Sequence, residues 1–247
     1  PHLLPRVQWL DSLPEVPFTG MILANEVLDA LTIERFAIRS GEVNALGVSS
    51  EFGQLQLAEV RAASRLVAAV RRIEADTGIA LPDGYESEVC TGLAPWFESI
   101  AYSLERGVLL FIDYGLPRRE YYSAERTRGT LLCHFRHRFH DDALIRVGLQ
   151  DITAWVDFTA VAEAAQGAGC EVAGYTTQAR FQIGCGLGDF VAHGEGRELV
   201  QRLNLSRQAM VLTLPGEMGE RFKVIALTKD YASPLRGFAT RDLRHSL

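Results

Sequence analysis

The segment 107–115 constrains the fold of this chain more than any other stretch. Five consecutive apolar residues precede Asp113, Tyr114 and Gly115 there. A strand without polar alternation is buried on both faces, which is typical of the parallel strands of α/β sheets. Ligands of open α/β sheets collect at the carboxyl ends of such strands. The sequence therefore predicts an α/β domain, with Asp113 and Tyr114 at the edge of the sheet where a ligand would bind.

A second apolar run, residues 20–25, predicts another buried parallel strand, and further helical and extended patterns follow. The predicted elements are helices over 59–76, 95–105, 158–166 and much of 187–213, and strands over 170–175 and 222–228. Asp157 or Thr159 could cap the helix over 158–166. Helices interleaved with buried strands indicate the crossover connections of an α/β sheet.

Three regions do not follow this order of helices and buried strands. Residues 33–60 alternate polar and apolar positions between glycines, which predicts antiparallel β-hairpins inserted into the domain. Residues 117–156 are polar, aromatic and rich in Arg and His, so we expect a loop-rich insertion with a functional role. Residues 230–247 are expected to form a poorly ordered polar tail, which leaves 1–229 as the domain itself.

Composition excludes several classes of protein. The net charge of −6 and the pI near 5.6 argue against a nucleic-acid-binding protein, which usually carries a basic face. No window approaches the roughly 18 apolar residues that cross a bilayer, so no membrane span is expected. The four cysteines lack the short spacings of zinc sites and disulfide scaffolds, which favours free thiols in a reducing cytoplasm.

Acidic and amide side chains follow both predicted core strands. Asn25 and Glu26 stand at the end of the first, and Glu26 and Asp29 would share one face if the next residues turn helically. Such a group could bind a cation or remove a proton, although a capped helix start with solvated acids explains the same residues. Asp113 is open to a similar choice, since it either orients a substrate or caps the following segment.

Two motifs invite a ligand-binding interpretation that their spacing does not support. His134, His137 and His140 are three residues apart, which does not bring all three to one side of a strand or a helix. The glycines of 184–188 do not follow a strong strand directly, as a phosphate-binding loop would. Neither a metal site nor a phosphate site is predicted.

Residues 148–158 alternate polar and apolar side chains. In an extended segment, Asp151, Thr153 and Asp157 would share one face. The pattern fits either the polar wall of a site or an exposed strand edge.

Taken in order, several motifs resemble those of the MidA-like S-adenosylmethionine-dependent methyltransferases. They are G-M-I-L-A-N-E-V-L-D-A-L, G-V-L-L-F-I-D-Y-G, R-G-T-L-L-C-H-F, G-L-Q-D-I-T-A-W-V-D-F, T-T-Q-A-R-F and M-G-E-R-F-K-V-I-A-L, and the match covers about residues 3–229. The resemblance implies a Rossmann-like class I methyltransferase fold with S-adenosylmethionine as the cofactor. The strand ending at Asn25 would be the fourth of the sheet, and the strand ending at Asp113 the fifth.

The resemblance also implies roles for individual residues. Asn25 and Glu26 would border the cofactor and the substrate, with Glu26, Asp29 and Asp113 as catalytic acids. The positions expected to bind substrate are Glu88, Tyr114, Asp151, Thr153, Asp157 and Gln178. The glycine-rich loop and the ribose-binding acid that hold the cofactor in this family are not found in this sequence. We therefore expect a fragment of a longer gene product, inactive by itself.

The family includes the mitochondrial assembly factor for respiratory complex I, an arginine methyltransferase. The resemblance thus implies a protein substrate, with a complex I subunit as the candidate. A guanidinium is always protonated, so its site needs carboxylates that orient it and accept a proton. Glu26 is the first choice for this role, with Asp29, Glu88 and Asp113 in support.

Other functions stay open at this point. The chain could be a non-catalytic assembly factor whose region 117–156 binds a respiratory subunit, or, more remotely, a metal-dependent hydrolase built on the three histidines. A bacterial protein of this kind is expected in the cytoplasm, whereas the related assembly factor works in the mitochondrial matrix. The sequence leaves the oligomeric state open, with a homodimer as one option.

Overall fold

The chain was analysed as a computed structural model, which describes residues 2–136, 138–192 and 198–247. The strands are β1 (Phe18–Asn25), β2 (Glu34–Arg39), β3 (Glu42–Glu51), β4 (Gln54–Arg61), β5 (Glu86–Val89), β6 (Leu104–Leu116), β7 (Leu132–Phe135), β8 (Arg138–His140), β9 (Asp151–Thr153), β10 (Val156–Asp157), β11 (Glu171–Thr177) and β12 (Phe222–Lys229). The helices are α1 (Ser64–Thr77), α2 (Leu93–Ser103), α3 (Arg118–Tyr121), α4 (Phe158–Gly167), α5 (Gln178–Gly184), α6 (Leu187–Ala192), α7 (Leu199–Thr213) and α8 (Met218–Arg221). None of these helices is long and apolar enough to cross a membrane.

A mixed five-stranded sheet organises the fold, with the main path β1–β6–β12–β11 and β10 paired to the end of β6. β1 and β6 are parallel, as the sequence predicts, and β12 runs antiparallel to β6. β6 is buried on both faces. β1 is not, because Met21 and Leu23 are 53% and 64% exposed. In the described residues β1 pairs with β6 alone and lies at the edge of the sheet.

Helices α2 and α4 cover one face of this sheet. Phe97 of α2 and Phe158 of α4 are fully buried against Leu109 and Phe111 of β6. The start of α4 confirms a capping prediction, since Asp157 Oδ1 accepts a hydrogen bond from the backbone N–H of Ala160 at 3.1 Å. α2 ends two residues before the predicted boundary because β6 begins at Leu104.

A second sheet is antiparallel, in the order β4–β3–β2–β5, and α1 packs on it. The hairpins expected over 33–60 are present in this sheet. The helix predicted from Glu59 was placed too early, because Val60 pairs with Ala45 in the β3–β4 ladder. The apolar spacing of 60–63 fits a helix, but pairing with β3 extends β4 to Arg61, and α1 begins at Ser64.

The region 117–156 is more structured than its composition suggests. It contains α3 and a small antiparallel sheet in the order β8–β7–β9. β7 pairs with residues that lie nearly twenty positions later, such as His134 with Asp151. Strands of three or four residues are too short to show a clear periodicity, so they are defined by their pairing, which is local between β7 and β8 and distant between β7 and β9.

Residues 230–247 pack on the main sheet and do not form the free polar tail that was expected. Phe238 is 6% exposed and lies edge-on against Phe181, with ring centroids 5.3 Å apart. Gly174 makes room for this ring, since a Cβ at that position would lie 2.3 Å from it. Leu243 then adds a backbone hydrogen bond of 2.6 Å to the carbonyl of Tyr175. A few apolar anchors in a polar segment are enough to attach it.

Candidate active site

The carboxyl ends of β1 and β6 meet at one edge of the main sheet. The backbone N–H of Glu26 donates to the carbonyl of Ile112 at 2.9 Å and so continues the parallel ladder by one residue. Glu26 has a φ of 51°, in the left-handed region that few non-glycine residues adopt. Its carboxylate accepts a hydrogen bond of 3.0 Å from the amide of Asn25, and both side chains are exposed. This strained turn presents the two predicted cofactor-binding residues to solvent.

Asp113 holds the turn that follows β1. One of its oxygens, Oδ2, accepts hydrogen bonds from the backbone N–H groups of Val27, Leu28 and Asp29, at 3.2, 3.0 and 3.3 Å. The other oxygen accepts from the N–H of Tyr114 at 2.9 Å. Asp113 is only 1% exposed. Its position therefore indicates a residue that shapes the turn, and the buried carboxylate has no open side for a substrate.

The buried Asp29 and the half-buried Tyr114 form a hydrogen-bonded pair beside Asp113. The Tyr114 hydroxyl donates to Asp29 Oδ2, and Asp29 is 4% exposed. Asp29 Oδ1 has no hydrogen-bond partner among the described residues. A buried carboxylate oxygen without a partner is costly, so this atom is well suited to accept a hydrogen bond from a bound ligand.

Burial is the main reason why the pKa values of Asp113, Asp29 and Tyr114 are raised. Burial and, to a smaller extent, the nearby Asp29 carboxylate raise the pKa of Asp113 to about 7. Burial also raises the pKa of Asp29, and the charge of Glu26 adds to the effect. The pKa of Tyr114 is raised by burial and by its hydrogen bond to Asp29, so the phenol stays protonated and remains a donor.

Glu88 lies in the second sheet, away from these strand ends. Its Oε1 accepts hydrogen bonds from the Tyr121 hydroxyl at 2.7 Å, and from the Thr130 N–H and hydroxyl at 2.8 and 2.6 Å. Gly129 has a φ of 67°, and a Cβ there would lie 2.2 Å from Glu88 Oε2. The carboxylate thus connects the residues before β7 to β5, and Glu88 forms one cluster with Gly129 and Thr130 of the R-G-T-L-L-C-H-F motif.

Asp157 belongs to an ion-pair network centred on Arg118. The Arg118 guanidinium contacts Asp76, Asp157 and Glu163, with N–O distances of 2.6, 3.1 and 2.5 Å. Arg118 is 7% exposed. Burial raises the pKa of Asp157, although the Arg118 charge works against that shift. Sequence reasoning missed Arg118, because no local pattern distinguishes it from the many arginines around it.

The remaining predicted site residues separate into two places. Thr153 of β9 interacts with the Tyr114 hydroxyl, and the next residue, Ala154, donates its N–H to the Asp29 carbonyl at 3.1 Å. Asp151 is exposed two residues before Thr153. Gln178 instead lies in α5, is 3% exposed, and donates to the Leu212 carbonyl at 3.3 Å. The contacts of Gln178 are those of helix packing.

A cleft of about 520 Å³ lies between the two sheets, next to the strand-end turn. Leu28 forms its border with the site, and its walls come from α1, α2, α4 and β5. Glu88, Arg118, Trp155 and Asp157 all line it. The cleft therefore connects the predicted substrate positions that the strand ends do not gather directly.

The histidine and glycine motifs do not build ligand sites. His134 lies opposite Phe139 and His140 opposite Cys133, so the two histidines face opposite sides of the β7–β8 pair. His137 is outside the described residues. Among those that are described, no group of three or more potential ligands could hold a metal ion. Gly184 is the last residue of α5, and a Cβ at this position would lie 2.8 Å from the carbonyl oxygen of Gly237.

The sequence profile of a methyltransferase family matches residues 1–176 of the chain, and that family is described as "Putative S-adenosyl-L-methionine-dependent methyltransferase". The chain belongs to this family. The match confirms the family that the motifs indicated.

Similar proteins agree with the assignment to this methyltransferase family. A Burkholderia thailandensis protein, described as a "likely methyl transferase", was crystallised with S-adenosyl-homocysteine. It superposes on this chain with a TM-score of 0.91 and is 38% identical in sequence. The match covers 100% of this chain and 62% of the other. A native crystal structure of a superfamily member from the same organism superposes with a TM-score of 0.91 and is 38% identical in sequence. This match covers 98% of this chain and 64% of the other. The Drosophila melanogaster mitochondrial protein arginine methyltransferase NDUFAF7 homologue is 29% identical over 235 residues. The predicted methyltransferase fold is confirmed.

The chain spans about half the length of the curated relative, 49%, while 89% of the chain is aligned. The described residues of this family member fit one side of a cofactor site. Asn25 and Glu26 are exposed at the strand ends, where they would hold S-adenosylmethionine, and carboxylates favour the cationic sulfonium group of that cofactor. The described residues offer no glycine-rich strand–turn–helix loop to enclose it.

Proposed function

We propose that this chain supplies the methyl-acceptor side of an S-adenosylmethionine-dependent protein arginine methyltransferase. The observation that carries the proposal is the pair of acids at the ends of the parallel strands. Glu26 is exposed, and Asp29 has a buried oxygen without a partner among the described residues. The Drosophila relative, named as a protein arginine methyltransferase, supports arginine as the acceptor.

The chemistry of a guanidinium fits this pair. It is planar, always protonated and rich in N–H donors, so it binds carboxylates well but is a poor nucleophile until it loses a proton. Asp29 Oδ1 can accept one N–H and orient the group, while the exposed Glu26 takes the proton that the nitrogen gives up. Asp113 fixes the turn that carries both acids. The cofactor supplies a methyl group on a sulfonium and leaves as S-adenosylhomocysteine.

The protein substrate is proposed to be a subunit of respiratory complex I. This step rests on the motif resemblance to the assembly factor.

The described cysteines Cys90, Cys133, Cys170 and Cys185 are free thiols, which supports a reducing compartment such as the bacterial cytoplasm.

Glu26→Gln in the full-length protein tests the proposal. Loss of the proton acceptor is expected to lower kcat for arginine methylation by about 100-fold or more. Binding of S-adenosylhomocysteine, measured by calorimetry, should change by less than about twofold, because the amide keeps the shape of the side chain. Glu105→Gln, an exposed acid at the other end of β6, is the matched control. Unchanged turnover in Glu26→Gln would remove Glu26 from the mechanism.

One observation favours a second candidate, a non-catalytic assembly factor. Phe139, Val147 and Leu149 are 73%, 62% and 71% exposed in the region 117–156, and exposed apolar side chains often mark protein-binding surfaces. A Glu26→Gln protein without methyltransferase activity that still restores complex I assembly in a deletion strain would support this second function and show that methylation is dispensable.

A further inference from the structure

One face of the small sheet β8–β7–β9 runs from the candidate active site out to solvent. Residues directly opposite each other in antiparallel strands share a face. Leu132 lies opposite Thr153, and His134 lies opposite both Phe139 and Asp151. We call these five residues the outer strip. Leu132 and Thr153 are half-buried and the other three are exposed.

The inner end of the outer strip lies next to the strand-end turn that carries the acids of the site. Thr153 interacts with the Tyr114 hydroxyl, which in turn donates to Asp29. The N–H of Ala154 donates to the Asp29 carbonyl at 3.1 Å, so the end of β9 is fixed to the strand-end turn. A molecule that reaches Asp29 along this face therefore passes over Thr153 and Leu132.

The outer end of the strip is apolar. Phe139 exposes 73% of its surface on the same face, next to His134. An aromatic ring in this position exposes a large apolar area to solvent unless a partner covers it. Asp151, between the two ends, adds an exposed carboxylate on the path to Glu26 and Asp29. Acids along the path disfavour nucleic acid and favour a segment with a positive charge.

We propose that the outer strip binds the polypeptide that carries the methyl-accepting arginine, in an extended conformation. This rests on the proposed arginine methyltransferase function. The acceptor arginine lies at Asp29, and an apolar side chain of the same polypeptide covers Phe139.

The strand geometry sets the spacing between the two contacts. Thr153 and Phe139 lie two strand spacings of about 4.8 Å apart across the sheet and about two residues of about 3.3 Å each apart along the strands, so the straight line between them is roughly 12 Å. An extended chain covers about 3.3–3.6 Å per residue. With the backbone of the acceptor arginine over Thr153 and its side chain extended to Asp29, the apolar side chain is therefore three or four residues from that arginine.

A fluorescence-polarisation experiment tests this surface. The probe is a fluorescein-labelled synthetic peptide of glycine and serine with one central arginine and one leucine four residues away. It is titrated with the full-length protein saturated with S-adenosylhomocysteine. Phe139→Ala is expected to raise Kd about tenfold, a loss of about 1.4 kcal/mol. Phe52→Ala, which removes an equally large ring that is 98% exposed at a hairpin turn, is the matched control and should leave Kd unchanged.

The spacing is tested with the same protein and a second peptide. Moving the leucine next to the arginine should weaken binding to the wild-type protein by a similar factor and remove the effect of Phe139→Ala. Equal affinities for the two peptides, equal effects of Phe139→Ala and Phe52→Ala, or no binding at millimolar protein would each overturn the proposal.

A third peptide separates this proposal from the function on which it rests. Replacing the arginine by the neutral isostere citrulline should abolish binding if the acids of the site recognise a guanidinium. Undiminished binding of the citrulline peptide, together with a loss in Phe139→Ala, would leave the strip as a peptide-binding surface and refute arginine as the acceptor.

Discussion

Asp113→Asn changes the carboxylate that fixes the turn after β1, and its effect should depend on pH. In the native protein Oδ2 accepts from three backbone N–H groups and Oδ1 from the Tyr114 N–H. Asparagine keeps the shape and one acceptor oxygen. Its amide nitrogen then faces either the Tyr114 N–H or the three N–H groups of the turn, and a donor opposite a donor leaves buried groups unsatisfied. This mismatch costs about 1–3 kcal/mol against the ionised carboxylate, and less against the protonated acid, which also carries one O–H donor.

The pH dependence follows from the raised pKa of Asp113. Burial and the neighbouring Asp29 carboxylate bring it to about 7 in the folded protein, whereas an unfolded aspartate has a pKa of about 3.9. Between these values the folded state binds more protons than the unfolded state, so the free energy of unfolding falls as pH rises. Between pH 5 and pH 8 this one group removes about 2–3 kcal/mol of stability. Asparagine does not titrate, so the Asp113→Asn variant does not lose this stability between pH 5 and pH 8.

We therefore expect the stability of Asp113→Asn relative to wild type to rise by about 2–3 kcal/mol between pH 5 and pH 8, from a deficit of at most about 3 kcal/mol at pH 5 to parity with wild type or better at pH 8. Urea unfolding at pH 5, 6, 7 and 8, followed by circular dichroism, measures the difference directly. Asp11→Asn, at an exposed position, controls for the change in net charge. A stability difference that stays constant with pH, or a deficit that grows towards pH 8, would refute both the raised pKa and the proton linkage.

Two further substitutions test packing that only the structure reveals. Gly129→Ala should destabilise the protein by more than about 2 kcal/mol, because it forces a side chain into the left-handed region and against Glu88 Oε2. The control Gly41→Ala, with a φ of 80° and open space around it, should lower the free energy of unfolding by only about 1 kcal/mol. Equal losses of the two variants in urea unfolding would contradict the Glu88 cluster. Phe238→Ala should lower the free energy of unfolding by about 3 kcal/mol or more because the ring is buried against Phe181, whereas Phe52→Ala should stay within about 0.5 kcal/mol of wild type. Thermal melts that do not distinguish the two phenylalanine variants would show that residues 230–247 are only loosely attached.

The strand-end acids illustrate how far sequence reasoning reaches in the candidate site. Two apolar runs, each ending in polar residues, were enough to predict that Glu26 and Asp113 lie at one edge of a parallel sheet, and the β1–β6 pairing confirms this. The division of roles was not predictable. Asp113 turns inward and holds three backbone N–H groups, whereas Glu26 points to solvent, and the register and turn geometry decide which acid is buried.

Other site residues show the opposite case. Glu88, Gly129 and Thr130 form one cluster because Glu88 Oε1 receives both donors of Thr130, 42 positions later in the chain. Arg118 gathers its three carboxylates from α1, β10 and α4 in the same way. No periodicity or spacing rule connects residues so far apart.

The sequence by itself determined the α/β class, the buried strand β6, the capped start of α4 and the family motifs. These follow from local patterns, since an unbroken apolar run or a cap acts through residues that are neighbours along the chain. Only the tertiary structure decided where β4 ends, that residues 132–153 pair into a sheet, that Phe238 anchors the C-terminal segment, and that Asp29 Oδ1 is buried without a hydrogen-bond partner among the described residues. Each of these depends on contacts between distant segments, whose free energy outweighs local propensity once the chain is packed.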